Sequence, residues 1–399
     1  MRVVGCGSPP DPPSGAERAP GTRADPTTAL VPLASSDRRT RTSVSKTHES
    51  RNDPIPFADD ASATRPGANR MKALHHGLDR LNGWLVARRP QAPVASTRAD
   101  LDDLARRAPG ELHGAPHRAS PIFTPADGAR TGTDRFVFRS AAPSGDPNND
   151  RVHGIRWRAG EDRSDTAVIM LHGGFATGFT AERLFAPPFL AAGIDVIALA
   201  LPWHMERAAS ASAYSGQYLL SGDIPRLVRG FAQAAQDAAA LADALREDGY
   251  RRVFAGGISL GGNIAAQVAC LAELDAIYMV IPAVDPYVTI WQSPIGAGIV
   301  RAARTAGYPD ATVGQAMRLI TPHLLGPPRT QAARMLIVHG AHDLLCPPGP
   351  ISTLAEEWGI GDVRCLAAGH RSFGLHILKV RRLLAEATRH CPPIGDLTS

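Results

Sequence analysis

Cysteine is scarce and unpatterned in this 399-residue chain: Cys6, Cys270, Cys346, Cys365 and Cys391 form no C-x-x-C pair and leave an odd count. That argues against a zinc cluster and against a disulfide framework, and it fits a reducing, cytoplasmic setting. Long apolar runs are also missing. Stretches such as TAVIML and AIYMVIPAV are strand-sized, well short of the roughly 18 residues that span a bilayer, so no integral membrane segment is expected. Nor is there a block of one charge. The 43 Lys and Arg are interspersed with 38 Asp and Glu for a net +5, which gives no basic face for nucleic acid.

Aromatic residues are nearly absent from residues 1–70, where Phe57 stands alone among Pro, Ser, Thr, Arg and Asp. Such a segment buries too little apolar surface to offset its ordering entropy and is predicted to be disordered. The character changes at Met71, which is therefore a candidate translation start with residues 1–70 as upstream sequence. From there MKALHHGLDRLNGWLVARR sets Leu74, Leu78, Leu81 and Leu85 at helical spacing, with Lys72, Arg80, Arg88 and Arg89 largely elsewhere. The pattern predicts an amphipathic helix within a helical N-terminal extension, 71–134. Packing against the main domain is its expected role, and peripheral contact with a membrane surface through 71–89 is the other.

From about residue 135 short apolar runs alternate with helical stretches. RFVFRS and HGIRWR read as an antiparallel opening pair. TAVIMLH, IDVIALAL, RVFAGG, AIYMVIP, RMLIVHG and VRCLAAG read as buried strands, and Gly249 as the stop of the helix ending LADALREDGY. This alternation predicts a mostly parallel sheet covered on both faces. The large interruption, residues 284–330, falls at the carboxyl ends of the strands and is a candidate cap or lid. Residues 391–399 read as a flexible tail.

Gly257-Ile258-Ser259-Leu260-Gly261 matches G-x-S-x-G, in which glycines permit a sharp strand-to-helix turn that lifts the serine hydroxyl clear of the sheet. A serine hydroxyl needs a base and an orienting acid to become a nucleophile. LIVHGAHDLLCPP presents Asp343 just after one strand, and VRCLAAGHRSFG presents His370 after the next. Asp285 in IPAVDPY is the alternative acid, and His339, His342 and His376 are expected to be structural. The oxyanion of an acyl-transfer reaction needs preorganised N–H donors. Leu260 is expected to give one, and Gly174 or Phe175 of LHGGFATG the other, with His172 a buried hydrogen-bonding residue. Trp203 and His204 of ALALPWHMERA are candidates to line the substrate pocket.

With LHGG after the first parallel strand, GISLGG at the turn, GAHD after a late strand and GH after the last, residues 135–390 resemble the α/β-hydrolase superfamily. The resemblance implies a doubly wound α/β sheet and the triad order Ser259, Asp343, His370. The implied activity is serine hydrolysis of a small-molecule carboxylic ester or thioester through an acyl-enzyme, without metal or organic cofactor. Acyl transfer by the same triad is the near alternative. A non-catalytic binding protein on this fold is the alternative from another class.

Overall fold

In a computed structural model of the chain, the described residues are 66–114, 118–126 and 132–389. The disorder expected over 1–70 and the tail expected at 391–399 therefore lie outside them, apart from residues 66–70. Nine strands form one sheet: β1 (Ile122–Pro125), β2 (Thr133–Arg139), β3 (Arg151–Trp157), β4 (Thr166–Leu171), β5 (Asp195–Leu199), β6 (Arg252–Ile258), β7 (Ala276–Val280), β8 (Met335–Gly340) and β9 (Asp362–Leu366). Their spatial order is β1-β2-β3-β5-β4-β6-β7-β8-β9. β1, β2, β3 and β5 pair antiparallel, and all pairs from β5 to β9 are parallel, so the expected opening hairpin and parallel sheet are both present.

The central strands are apolar along their whole length because both faces are covered; every residue of β4, β5, β7 and β8 is buried. VRCLAAG departs from its expected burial. β9 pairs with β8 alone, at the sheet edge, and only Leu366 of the strand is buried.

The helices are α1 (Pro66–Ala87), α2 (Arg98–Arg106), α3 (Thr180–Phe185), α4 (Pro187–Ala191), α5 (Ile224–Glu247), α6 (Leu260–Leu271), α7 (Ala297–Thr305), α8 (Asp310–Met317), α9 (Pro348–Trp358) and α10 (Ile377–Arg389). α5 starts where the Asp223 carboxylate accepts from the N–H of Arg226, and it gives way at Gly249, whose φ of 102° is costly for any other residue. α7 and α8 occupy the 284–330 insertion. No helix among the described residues is long and apolar enough to cross a membrane.

α1 exists as expected but begins at Pro66, and it packs through the face opposite its leucines. Leu74, Leu81 and Leu85 are each 54% exposed, while His75, Asp79, Gly83 and Val86 are buried. The leucine spacing was sufficient to define a helix. It did not define the buried side, because polar partners on the domain select the His75–Asp79 face.

Candidate active site

Ser259 stands between β6 and α6 with φ 55° and ψ −110°, a backbone conformation that costs a non-glycine residue on the order of 1–3 kcal/mol. The strain is held by the sheet beside it. The Ser259 N–H donates to the Val280 carbonyl, and its carbonyl accepts from Ala283. The flanking glycines are required by closeness: a Cβ on Gly257 would strike the Gly261 carbonyl, and one on Gly261 would strike the end of β4 at Leu171. This is the geometry that lets a nucleophile stand clear of the sheet at the start of a helix.

Asp343 and His370 come together from the loops after β8 and β9. The Nδ1–H of His370 donates to Asp343 Oδ2 at 2.8 Å, and the other carboxylate oxygen accepts from the N–H groups of Leu345 and Cys346, each at 2.8 Å. Burial disfavours the charged imidazole. The Cys346 sulfur and the Asp343 carboxylate against the ring nevertheless hold the His370 pKa well above the ordinary histidine value. Burial in turn pushes the Cys346 thiol up.

Asp285 is not the partner of His370. It caps the first turn of the insertion, its Oδ1 accepting from the N–H of Val288.

The Cys346 thiol interacts with the side chains of both Ser259 and His370. Among the described residues no direct hydrogen bond joins Ser259 to His370, a bond that often tightens only with substrate in place. Asp343, Cys346 and His370 also bring potential metal-ligand atoms within 4.8 Å of one another, but the carboxylate and imidazole are already engaged with each other.

Ser259 and His370 line one cavity of about 280 Å³. Gly174, Phe175 and Leu260 line it too, so the three candidate oxyanion donors share the cavity with Ser259. Leu260 opens α6, and its N–H has no intrahelical acceptor. Phe175, at φ 63°, donates its N–H to His204 Nε2 at 3.1 Å. The insertion contributes Pro286, Thr289, Ile290, Ile295 and Ile299 to the wall, α1 contributes Asn82 and Val86, and Arg89 follows just after the helix.

Neither Trp203 nor His204 lines this cavity, contrary to their expected pocket role. Trp203 borders a separate cleft of about 740 Å³ beside α2 and α5, which lacks a serine–histidine pair. His204 is fully buried, its Nδ1–H donating to the Pro202 carbonyl, and burial next to His172 holds its pKa well below the ordinary value. His172, likewise buried, accepts from the Leu201 N–H and donates to the Gly173 carbonyl, with a pKa lowered by burial to about 4. Both histidines are therefore neutral struts that join the loop after β4 to the loop after β5.

The sequence reading missed two anchors. Arg207 and Asp237, both fully buried, pair at 2.8 Å, and the guanidinium also reaches the carbonyls of Asn149 and Ala200, which fixes the loop carrying His204. Asp79 on α1 accepts from the N–H groups of Leu344, His370 and Arg371. Neither belongs to a local motif; an unpaired acidic residue at the centre of an amphipathic helix was the available sign of the second.

The sequence matches the Alpha/beta hydrolase family over residues 168–391. No curated protein matches the chain. Among solved structures it is similar to an acetyl xylan esterase from Paenibacillus sp. R4, with 15% identity and a TM-score of 0.50, covering 78% of this chain and 99% of that one. It is also similar to acetyl xylan esterase 1 from Thermoanaerobacterium sp. JW/SL YS485, with 18% identity and a TM-score of 0.51, covering 75% and 99%. With the family match spanning more than half of its length, and the sheet and turn geometry agreeing, the chain belongs to the alpha/beta hydrolase family.

Proposed function

We propose that the chain is a serine hydrolase that cleaves a small carboxylic ester or thioester. The observation that carries this reading is the 2.8 Å Asp343–His370 pair opening onto the same cavity as the strained Ser259. Ser259 Oγ attacks the carbonyl carbon while His370 takes its proton, and His370 then returns that proton to the leaving alcohol or thiol. Asp343 holds the tautomer and stabilises the imidazolium. Water, deprotonated by His370, cleaves the acyl-enzyme to the free acid and restores the Ser259 hydroxyl. Neither step calls for a metal or an organic cofactor.

The Leu260 and Gly174 N–H groups suit the oxyanion, because the Phe175 N–H is already committed to His204. The cavity is at the small end of the ligand-site range, with apolar walls from Ile290, Ile295 and Ile299, which fits a short acyl or single-ring aromatic group. The two acetyl xylan esterases of the same fold support an ester as the substrate class. A panel of activated esters graded in acyl length tests the reading. Turnover that favours short acyl groups supports it, and a folded protein that turns over none of them contradicts it.

A second feature favours peripheral contact with an anionic membrane surface. The outward face of α1 carries Leu74, Leu78, Leu81, Trp84 and Leu85 beside Lys72 and Arg80, with no outward acid, and Arg88 directly follows the helix. Sedimentation with phosphatidylglycerol and with phosphatidylcholine vesicles distinguishes charge-assisted binding from none.

A further inference from the structure

The inward face of α1 is polar, and it meets the two loops on which the acid–base pair stands. His75, Asp79 and Gly83 recur every four residues along that face. Asp79 is 0% exposed and has no ion-pair partner among the described residues. Its two oxygens are satisfied by backbone N–H groups. Oδ2 accepts from Leu344 at 3.1 Å and from His370 at 3.0 Å, and Oδ1 accepts from Arg371 at 2.9 Å. Leu344 directly follows Asp343, so one carboxylate spans the acid loop and the base loop.

The surroundings are shaped for this approach. A Cβ on Gly369 would sit 2.9 Å from Asp79 Oδ2 and 3.1 Å from the His75 Cβ, so glycine is what allows α1 to come this near. His75 adds a second tie, its Nδ1 lying 2.8 Å from Ser372 Oγ, and its ring stacks on His342. An amide at position 79 cannot replace the carboxylate. It offers one acceptor oxygen for three donors and turns its own NH₂ toward at least one of them.

We propose that Asp79 is a positioning residue of the active site, whose buried carboxylate staples the Asp343 loop to the His370 loop and fixes the acid–base pair against Ser259. The N-terminal extension is thus a working part of the hydrolase domain. The proposal rests on the serine hydrolase reading for its kinetic consequence, and on the Asp343–His370 pair alone for its structural one.

The test compares full-length wild type, Asp79→Asn and the exposed same-helix control Ala73→Gln, with turnover normalised to the sites labelled by a fluorophosphonate. A displacement of the base by about an ångström lowers kcat on the order of 10²-fold. The expected result is a loss of that size in Asp79→Asn with KM little changed, and an acid limb of kcat/KM moved to lower pH as the pairing with Asp343 loosens. Asp343 and Cys346 face the His370 ring, while Asp79 and His75 of α1 hold its loop and Arg371 adjoins it; only Asp79 is altered. A merely structural role would reduce the labelled fraction and leave turnover per labelled site and its pH limb unchanged, and that result overturns the proposal.

Histidine-ring NMR titration of His370 provides a readout that needs no turnover. A lower pKa in Asp79→Asn supports the staple even if wild type hydrolyses nothing, in which case the hydrolase reading fails by itself. An unchanged titration contradicts the staple. Should Asp79→Asn not fold, Gly369→Ala, which presses on Asp79 from the other side, is read in the same way.

Discussion

Phe175 donates its backbone N–H to Nε2 of His204 across 3.1 Å, and this bond ties the loop beside Ser259 to the loop after β5. His204 is buried and neutral, so it acts as a fixed acceptor. Replacing it by leucine leaves a part-buried N–H without its partner, at a cost of up to about 1–3 kcal/mol. It also frees Phe175 from its left-handed conformation next to the candidate oxyanion donors. His204→Leu is expected to lower kcat at least about 10-fold with a smaller change in KM, while His204→Gln, which retains an acceptor, recovers part of the loss. Steady-state kinetics together with urea unfolding separate the two effects.

On the serine hydrolase reading, the Asp343–His370 pair sets the pH dependence. A base whose pKa is held above the ordinary histidine value is protonated at and below that value, so kcat/KM rises with pH along a limb displaced upward. Asp343→Asn removes the charge that stabilises the imidazolium. The limb is then expected to move to lower pH, and the plateau to fall by about 10²–10⁴-fold, which a pH–rate profile of both proteins measures.

Glu182 on α3 is fully buried, and neither of its carboxylate oxygens has a hydrogen-bond partner. Burial pushes its pKa from 4.5 up to about 7. Because the folded state holds this proton more tightly than the unfolded chain does, no penalty exists below pH 4.5. The penalty grows between that value and about 7 and is complete above it, reaching about 3 kcal/mol at about 1.4 kcal/mol per pH unit. Glu182→Gln is expected to raise Tm relative to wild type at pH 8 by more than at pH 5. Thermal melts across this range check it, and a pH-independent difference contradicts it.

The motifs that could be read from the sequence are those whose geometry is local. The G-x-S-x-G turn carries its own strand, strain and helix within twenty residues, and the loops bearing Asp343 and His370 each follow a strand directly. α1 was legible as a helix for the same reason. Its orientation was not, because the buried side is chosen by partners far along the chain: Asp79 reaches residues 265 to 292 positions away. His204 looked like a pocket residue because ALALPWHMERA falls where many enzymes of this superfamily carry a loop beside the pocket, yet its ring serves the backbone of Phe175. Arg207, unremarkable in sequence, is buried because Asp237 on α5 and two carbonyls receive it.

The central claim is that Ser259 is the nucleophile, and labelling by a fluorophosphonate followed by mass mapping tests it most directly. One covalent adduct is expected on the peptide containing Ser259, lost together with ester turnover in Ser259→Ala and retained in Ser43→Ala. Labelling or ester turnover that persists undiminished in folded Ser259→Ala would contradict it.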